Sequence, residues 1–513
     1  MRDTVRGVSN AEIHKLAELY GISVSGQNID ELANQVNERL GDSIDEIYAI
    51  PIEQSPDGIS KRTWTEPTDD FYNAISIECC IPPVENHSEL LAGTDVGLKD
   101  IISVAGVPMN CASGVTHGFV PSSDATVVER LLKAGGRITA KTNLDEFAGG
   151  GRGKSFRGLI RNPRDEDRIA GGSSGGSGAA VAAGQVDVAL GTDTGGSVRK
   201  PSAFCGLVGF KPTYGLVPLT GVIENTYTLD HVGPIAKTIE DTARILEAIV
   251  GKDNRDPASM AAAGHDAYRT GGYVEAVNLV PEIGDVRIAV GTQGVKDEIN
   301  ETVANRHQAA LDALEDAGAT LDQVEIPYLD LTKHIKNIIS YVELASYWRD
   351  GGAPVRRGGV VSPYDQLSFA RRARAGNQEL NDFYRSRLIA GAQLMRAHDG
   401  RHYTRAHAAR HAIREKLRVT LSDYDALVTP TVPYLAPEIE HITDSTFDYD
   451  GLDEDMSFGY GRYTKIGDIT GFPALTVPND VDPGPAVGLQ LMGQPFDEAK
   501  LFSVAKSILQ TIS

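Results

Sequence analysis

Cysteine is scarce in this chain of 513 residues, which contains only Cys79, Cys80, Cys111 and Cys205. None of these cysteines has the spacing of zinc ligands, and the adjacent pair Cys79 and Cys80 is poorly placed to form a disulfide with itself. We therefore expect reduced thiols and no metal site. The few cysteines exclude a small fold that depends on disulfides.

Long apolar runs are also absent from the sequence. No segment approaches the roughly 18 consecutive apolar residues that are needed to span a bilayer. The first residues, MRDTVRGVSNAEIHK, lack the apolar core of a signal peptide. These two absences predict a cytoplasmic protein that has no membrane partner.

Positive charge is in deficit, because 49 Lys and Arg residues face 70 Asp and Glu residues, which gives a formal net charge of -21 at pH 7. Binding to a phosphate backbone needs clustered Lys and Arg. We therefore expect a small-molecule substrate and no nucleic acid. With 41% hydrophobic residues, a chain of this length can bury a large core and form more than one domain.

Two helices are predicted near the start of the chain. Ser9 and Glu12 match a capping box at the beginning of the first helix, and Gly21 suits its C-terminal end. The second helix carries an apolar stripe from Ile29 to Leu40, and we expect it to end at Gly41.

A turn-rich segment, SPDGISKRTWTEPTDD at residues 55–70, is typical of a linker. It predicts a helical N-terminal region at residues 1–65 and a main domain at residues 66–513. Within the main domain, residues 330–420 are rich in Arg, Ala and Tyr at helical spacing and carry few strand signals. We interpret this part as a helical insertion.

After about residue 90, short apolar segments alternate with helical stretches, a pattern that favours an α/β fold in which helices cover a sheet. The predicted strands are Arg137–Thr142, Val186–Gly191, Val286–Gly291, Ala426–Thr431, Ala474–Pro478 and Val487–Gly493. Glycine is concentrated between residues 149 and 215. This concentration marks the segment in which other groups can approach the backbone most closely.

Two loops in this segment combine glycine with serine: GGSSGGS at residues 171–177 and GTDTGGS at residues 191–197. Because Gly195 and Gly196 have no side chains, several N–H groups beside them can point at one oxygen, as a tetrahedral oxyanion requires. Ser197 follows directly and could be the attacking group. Flexible turns have a similar composition, but two such loops so close together favour a nucleophilic serine.

A serine nucleophile needs a base near neutral pH. The chain has 12 histidines, but none lies in a recognisable protease context, and no Gly-x-Ser-x-Gly elbow includes Ser197. Lysine is the other documented base for serine, and Lys99 and Lys141 are both candidates. The residues alone leave the choice between these two lysines open.

The two loops resemble those of the amidase signature family, whose members use a Ser-Ser-Lys triad. The matching motifs are GGSSGGS, DTGGSVR and Gly97-Leu98-Lys99-Asp100, and Ser173 precedes Ser197 by 24 positions, the spacing that the family keeps. The resemblance extends from about residue 90 to the C-terminus. It implies one large mixed β-sheet between helical layers.

The resemblance also implies an activity, the hydrolysis of carboxamides to a carboxylic acid and ammonia without a cofactor. It assigns the nucleophile to Ser197, the bridging serine to Ser173 and the base to Lys99, with a cis bond between Gly172 and Ser173. Lys141 is then structural. The implied oxyanion donors are the backbone N–H groups of Thr194, Gly195, Gly196 and Ser197.

A lysine base must lose its proton, which requires a pKa about three units below the ordinary value of about 10.4. Burial of Lys99 among glycines would lower its pKa in this way. A carboxylate close to Lys99 would oppose the shift, so we expect the side chain of Asp100 to point elsewhere. A lysine base further predicts an alkaline optimum for hydrolysis.

Two kinds of family member are compatible with the motifs. The N-terminal helices and Ala203–Gly209 look most like bacterial stand-alone amidases of the nitrile-degrading group, which implies a homodimer. Asn143–Ala148 looks more like the A subunit of a glutamine-dependent tRNA amidotransferase, in which an arginine holds the glutamine carboxylate. Arg387 loosely matches that arginine, but we interpret Arg385 and Arg387 as lining a helix surface. The stand-alone amidase is therefore the expected function, and the amidotransferase subunit is the alternative.

Two further motifs are weaker. Gly149–Ser155 is similar to a phosphate-binding loop, but Ala148 replaces the first required glycine and no strand precedes it. His407 and His411 lie four residues apart and could face one metal ion, but arginines surround them and no carboxylate motif accompanies them. We interpret the first as a loop and the second as a solvated helix face.

Overall fold

The computed structural model describes residues 7–26, 28–50, 62–150, 153–293, 299–353, 355, 358–397, 399–442, 461–479 and 484–512. The chain divides into two compact units, Met1–Pro56 and Asp57–Ser513. None of the helices in these ranges is long and apolar enough to cross a membrane.

The described helices are α1 (Asn10–Leu19), α2 (Ile29–Tyr48), α3 (Thr126–Lys133), α4 (Gly175–Ala182), α5 (Arg199–Phe204), α6 (Ile239–Ile249), α7 (Pro257–Ala262), α8 (Tyr273–Ala276), α9 (Glu301–Asp316), α10 (Thr332–Arg349), α11 (Pro363–Ala375), α12 (Asp382–Ala397), α13 (Arg401–Thr420), α14 (Lys465–Thr470) and α15 (Glu498–Ile512).

The described strands are β1 (Trp64–Thr65), β2 (Ile75–Ile81), β3 (Asp95–Lys99), β4 (Arg137–Thr142), β5 (Lys154–Ser155), β6 (Gly158–Leu159), β7 (Arg161–Asn162), β8 (Asp165–Ile169), β9 (Val188–Asp193), β10 (Val208–Lys211), β11 (His231–Ala236), β12 (Arg287–Gly291), β13 (Thr320–Val324), β14 (Ala426–Pro430), β15 (Ala474–Pro478) and β16 (Gly488–Met492).

The first unit contains α1 and α2. At the start of α1, the Ser9 hydroxyl accepts a hydrogen bond from the Glu12 N–H and the Glu12 carboxylate accepts one from the Ser9 N–H. The predicted capping box is thereby confirmed. Ile13, Ile29 and Ala33 form the small buried core of this unit.

Helix α2 does not end at Gly41, as the sequence predicted, but continues to Tyr48. One glycine in a helix costs only about 1 kcal/mol relative to alanine, so it does not stop a helix that the following residues support. Ile44 and Ile47 continue the helical spacing of Leu40. The glycine therefore lies inside the helix.

Twelve strands of the described main unit form one mixed sheet in the order β1-β2-β4-β3-β9-β11-β10-β15-β16-β14-β12-β13. Strand β3 is parallel to β4 and β9, and β12 is parallel to β13 and β14. The remaining neighbours are antiparallel. The predicted α/β fold with a large mixed sheet is confirmed.

Both faces of the sheet are buried. Because successive side chains of a strand point to opposite faces, neighbouring residues of one strand belong to different cores. Val188 and Leu190 of β9 pack in one core with residues of α3, α6, α9 and α15, whereas Ala189 packs in another core with α4. Val428 and Leu427 of β14 alternate in the same way, and the second face there is covered by α10, α13 and α14. The sheet is thus a middle layer between helices, as predicted.

All six predicted strands occur in the structure. The bounds of β4 and β15 agree with the prediction, and the other four differ by one or two residues at one or both ends. Within residues 330–420, the structure contains α10, α11, α12 and α13. These helices follow β13 and precede β14, and their description as an insertion remains a prediction.

Candidate active site

A buried lysine, Lys99, is the last residue of β3, which lies between β4 and β9 in the sheet. Nζ of Lys99 lies 2.8 Å from the hydroxyl of Ser173 and 2.8 Å from the hydroxyl of Thr192 in β9. The side chain of Lys99 is fully buried. The parallel pairing of β3 with β9 therefore brings the lysine to the serine loop, with Thr192 as a neighbour that the sequence did not predict.

Ser173 lies in the loop between β8 and α4. The peptide bond between Gly172 and Ser173 is cis, as predicted. The N–H of the next residue, Ser174, donates to the carbonyl oxygen of Ser197 at 3.2 Å. This bond joins the two glycine-serine loops, so that Ser173 and Ser197 lie close together although 24 positions separate them.

The hydroxyl of Ser197 forms no hydrogen bond to another residue in the described part of the chain. The residue is 9% exposed, whereas Ser173 is 1% exposed. Of the two serines, Ser197 is therefore the one that a substrate could reach from solvent.

The loop from Asp193 to Ser197 is organised by the Asp193 carboxylate. Its two oxygens accept hydrogen bonds from the N–H groups of Gly196 and Val198. The N–H groups of Gly195 and Ser197 have no acceptor among the described residues. The four predicted oxyanion donors are therefore not equally available in this conformation, because the N–H of Gly196 already donates to Asp193.

Glycine is required at position 196 for two reasons. Its φ is 110°, a left-handed conformation that side chains disfavour. A Cβ at this position would also overlap the hydroxyl of Thr464, which itself donates to the carbonyl oxygen of Gly195 at 2.9 Å. The C-terminal part of the chain thus packs directly on the loop that precedes Ser197.

Arg199 stabilises this loop, and its guanidinium is completely buried. It pairs with Asp193 at 3.0 Å and with Asp468 at 2.9 Å. It also donates to the carbonyl oxygen of Thr464 and, at 2.8 Å, to the side chain of Gln490. One side chain therefore connects the nucleophile loop to α14 and β16.

The charges of this cluster depend on one another. Burial alone would raise the pKa of Asp193, but the charge and hydrogen bonds of Arg199 outweigh it and hold the pKa well below its usual value. Burial and the nearby Asp193 raise the pKa of Asp468 well above its usual value. Asp193 is thus the carboxylate that carries the negative charge opposite Arg199.

We expect Arg199→Met to destabilise the protein by about 3–5 kcal/mol, because a buried carboxylate loses its partner. The free energy of unfolding in urea measures this loss. Arg137→Met is the matched control, since Arg137 forms an ion pair with Asp95 at the surface, where its side chain is 50% exposed. Such pairs contribute little. An equal loss in both variants would contradict the role assigned to Arg199.

Lys99 is in an environment that favours its neutral form. Burial lowers its pKa to about 7, although Asp145, Asp193 and Asp230 act in the opposite direction. Asp100, its neighbour in sequence, does not add to them, because its carboxylate pairs with Lys141 at 2.6 Å.

The prediction that Asp100 points away from Lys99 is confirmed. Its second carboxylate oxygen accepts hydrogen bonds from the Ser76 hydroxyl and the Asn110 N–H. The side chains of both Asp100 and Lys141 are fully buried. Lys141 therefore has a charged partner of its own, whereas Lys99 forms no ion pair with any residue that the structure describes.

Arg387 is buried and does not lie on the helix surface, so that interpretation is wrong for this residue. It donates to the side-chain oxygen of Asn225 at 3.1 Å, and its guanidinium lies 5.7 Å from the ring centroid of Phe383 and 5.9 Å from that of Tyr384. Arg385 is exposed and pairs with Asp382, as a surface residue would.

The two weaker motifs gain no support. Residues 151–152 of the loop similar to a phosphate-binding loop lie outside the described residues. His407 lies 3.7 Å from a carboxylate oxygen of Glu343. Within the described ranges, no three or more His, Cys, Asp or Glu residues form a group that could hold a metal ion.

Residues 76–502 match the family model described as Amidase. The chain belongs to the amidase family. Among relatives in this family, the A subunit of glutamyl-tRNA(Gln) amidotransferase from Symbiobacterium thermophilum is 37% identical, with 81% of this chain and 82% of that protein covered. The protein of the same description from Halobacterium salinarum is 36% identical, with 82% and 96% covered.

Solved structures of the amidase family have the same fold. The crystal structure of the A subunit of glutamyl-tRNA(Gln) amidotransferase from Thermotoga maritima is similar with a TM-score of 0.65 and 30% identity, and covers 88% of both chains. The native peptide amidase from Stenotrophomonas maltophilia is similar with a TM-score of 0.67 and 30% identity, and covers 82% of this chain and 83% of its own. The chain is therefore an enzyme of carbon–nitrogen bond chemistry.

These relatives correct the expectations about partners. The prediction of a homodimer without a nucleic-acid partner is wrong, because the curated relatives are A subunits of glutamyl-tRNA(Gln) amidotransferase. Its basis was the net charge of -21. Net charge does not exclude a local basic surface, nor a partner protein that contacts the tRNA. These relatives also do not bear out the resemblance to nitrile-degrading amidases.

Proposed function

We propose that this amidase-family protein cleaves carboxamides through an acyl-enzyme on Ser197. The observation that supports this proposal is the 2.8 Å contact between Nζ of Lys99 and the hydroxyl of Ser173, in a loop that is hydrogen-bonded to Ser197. Serine becomes a useful nucleophile when a base takes its proton. A buried lysine whose pKa is lowered to about 7 can be that base.

In the proposed reaction, neutral Lys99 accepts the proton of Ser173 while Ser173 accepts the proton of Ser197. The Ser197 oxygen attacks the amide carbonyl and forms a tetrahedral oxyanion. Ser173 gives its proton to the nitrogen while Lys99 returns a proton to Ser173; the carbon–nitrogen bond breaks, ammonia leaves, and Lys99 is neutral again. Water then attacks the acyl-enzyme by the same route and releases the carboxylic acid.

The oxyanion would be held by backbone N–H groups of the nucleophile loop. We assign this role first to Gly195 and Ser197, whose N–H groups have no other acceptor in the described residues. Thr194 belongs to the predicted set as well. Gly196 could contribute only if its N–H left the carboxylate of Asp193. Removing one such donor from an enzyme typically costs about 10²–10³-fold in rate.

We infer that the amide is glutamine and that the protein is the A subunit of a tRNA-dependent amidotransferase. Two relatives that match more than 80% of this chain support this inference, because both are A subunits of glutamyl-tRNA(Gln) amidotransferase. The buried position of Arg387 supports it as well, because a guanidinium can bind a glutamine carboxylate in two-pronged fashion. In this case the protein passes its ammonia to a partner-bound substrate.

A stand-alone amidase is the second candidate. Two observations favour it: the similarity to a peptide amidase, and the separate helical unit, Met1–Pro56, which precedes the segment matched by the family model. Both candidates use the same chemistry at Ser197. They differ in the substrate and in the need for a partner.

Ammonia release distinguishes the two candidates. The purified protein is assayed with glutamine, a simple aliphatic amide and an aromatic amide, first alone and then with candidate partner proteins and glutamyl-tRNA. The amidotransferase subunit requires glutamine and is stimulated by the partner and the tRNA. Rapid turnover of simple amides by the isolated protein, unaffected by either addition, would instead identify a stand-alone amidase.

The activity should depend on pH through Lys99. Because the neutral amine is the base and its pKa is about 7, kcat/KM is expected to rise through pH 7 and to fall about tenfold per pH unit well below it. The plateau of kcat/KM then begins at a lower pH than it would with a lysine of ordinary pKa. Initial rates with a neutral amide between pH 5 and pH 9 measure this profile, and a flat profile to about pH 5 would contradict a lysine base.

Lys336 provides the control for this assignment, because burial lowers its pKa to about 7 as well. If Lys99 causes the inflection, the Lys336→Met variant keeps the inflection at the same pH. An inflection that disappears in this variant would assign the titration to Lys336.

A further inference from the structure

A second carboxylate, from outside the nucleophile loop, contacts the segment that leads to Ser197. Strand β9 ends at Asp193 and pairs antiparallel with β11, which begins at His231, and these two residues are partners in the ladder. The residues just beyond this pair, Thr194 and Asp230, therefore lie opposite each other. The Thr194 hydroxyl donates a hydrogen bond of 2.6 Å to Oδ1 of Asp230, and both residues are buried.

The other carboxylate oxygen of Asp230 is held by the turn that precedes β11. It accepts hydrogen bonds of 2.9 Å from the N–H groups of Asn225 and Thr226. The turn is itself bonded to neighbouring parts of the chain. The Asn225 side chain donates to the carbonyl oxygen of Ala148, and the Thr226 hydroxyl shares a hydrogen bond of 2.7 Å with that of Ser340 in α10. Asp230 thus connects the nucleophile loop to a fixed support.

Thr194 is the only residue between Asp193 and Ser197 that has a side chain, because Gly195 and Gly196 follow it. Glycine leaves many backbone conformations open. An oxyanion site is effective when its N–H donors are already in place before the charge develops. The Thr194 hydroxyl is therefore the one side-chain group of this segment through which a neighbouring residue can fix the donors.

We propose that Asp230 is a positioning residue, which holds the oxyanion donors of the nucleophile loop through the hydroxyl of Thr194. This inference rests on the proposed function, because it concerns the tetrahedral oxyanion that forms on Ser197. All three neighbours of the Asp230 carboxylate donate to it, as an ionised carboxylate requires. Burial raises the pKa of Asp230, and these hydrogen bonds oppose the shift.

The first test replaces Thr194. In Thr194→Val the backbone N–H remains and the bond to Asp230 is lost, so kcat for ammonia release should fall about tenfold to a hundredfold, the effect of a small misplacement in an active site. KM should stay near the wild-type value, because the oxyanion exists only in the transition state and the intermediate. Thr194→Ser keeps the hydroxyl and should keep most of kcat. An equal loss in the serine variant would overturn the inference.

Thr126→Val is the matched control. Thr126 in α3 is also a buried threonine, and its hydroxyl donates to the buried carboxylate of Asp253. This variant should lower the free energy of unfolding and leave kcat of the folded protein unchanged. A loss of kcat as large as that of Thr194→Val would make the effect a general one of breaking a buried bond, and the inference would fail.

Asp230→Asn tests the same bond from its other end. The amide oxygen can still accept from Asn225 and Thr226, but the amide nitrogen then faces the Thr194 hydroxyl, which can no longer donate. We expect a loss of kcat similar to that of Thr194→Val. The double variant should lose little more than either single variant, because both changes break one interaction. Losses that multiply would show that the two side chains act independently, against the proposed role.

The pH profile gives a readout that a merely structural residue would not change. Burial lowers the pKa of Lys99, and the charge of Lys200 acts in the same direction. The charges of Asp145, Asp193 and Asp230 oppose this shift. Asp230→Asn removes one opposing charge, so the inflection of kcat/KM should move to lower pH, whereas both valine variants should leave it in place. An unmoved inflection in Asp230→Asn would contradict an ionised carboxylate at this position.

The last test needs no amide. With a fluorophosphonate, the Ser197 oxygen bonds to phosphorus, fluoride leaves, and the serine proton passes through Ser173 to Lys99. Mass spectrometry measures the rate of labelling, which should be at least about tenfold slower in Thr194→Val and Asp230→Asn than in the wild type. If labelling shows this dependence but the wild-type protein cleaves no amide, the positioning role stands and the proposed function fails. Equal labelling rates overturn the positioning role.

Discussion

Replacing Ser197 by alanine is expected to lower kcat for ammonia release by roughly 10⁴-fold or more, since loss of the nucleophile in serine hydrolases has effects of this size. The change removes the hydroxyl that has no hydrogen-bond partner among the described residues, so it leaves no group unsatisfied. The stability of the protein should therefore stay close to that of the wild type. Initial rates and urea unfolding measure the two quantities.

The control for this variant is Ser422→Ala, which removes a hydroxyl from an exposed serine far along the chain. It should change neither rate nor stability. Mass spectrometry adds a direct readout, because a slowly hydrolysed amide should add its acyl mass to the wild-type protein and not to Ser197→Ala. Unchanged hydrolysis by Ser197→Ala would mean that another residue attacks the amide.

The Lys99→Met variant is expected to lower kcat by roughly 10²–10⁴-fold, the usual contribution of a general base. Methionine has a similar length and is apolar, so it suits a site that is fully buried and disfavours charge. We therefore expect the folded structure to persist, with an unfolding free energy about 1–3 kcal/mol below that of the wild type, because the buried hydroxyls of Ser173 and Thr192 lose their hydrogen bonds to Lys99. Ammonia release and urea unfolding measure the two effects.

The comparison with Lys141→Met decides which lysine is the base, a choice that the residues alone left open. Lys141 pairs with the buried Asp100, so its loss should destabilise the protein by about 3–5 kcal/mol. Its folded fraction should nevertheless retain most of the catalysis. If instead Lys141→Met removed catalysis in folded protein and Lys99→Met did not, the assigned roles would have to be exchanged.

Most of the strands that could be predicted are short segments of mainly apolar residues. Strands β14 and β15 are examples, and each is buried along most of its length. Strand β11 was not predicted, because Gly233 and Pro234 interrupt its apolar residues and both normally argue against a strand. Its place between β9 and β10 buries it all the same, and that placement depends on tertiary contacts.

The site was partly predictable for a similar reason. The loops around Ser173 and Ser197 are local motifs with fixed spacing, and they can be read along the chain. The pairing of Arg199 with Asp468 joins residues 269 positions apart, and no local sequence pattern predicts such a contact. Arg387 was misjudged because the polar residues around it resemble a solvated helix face, while the structure buries it against Asn225.

The contacts of Arg199 also impose an order on synthesis. Its partners Asp468 and Gln490 belong to the last tenth of the chain, whereas Ser197 is made before the chain is half complete. Until those last residues leave the ribosome, the nucleophile loop lacks the side chains that fix its charge and shape. A nascent chain therefore carries its serine without a finished site at least until the 269 residues that lead from Arg199 to Asp468 have been made.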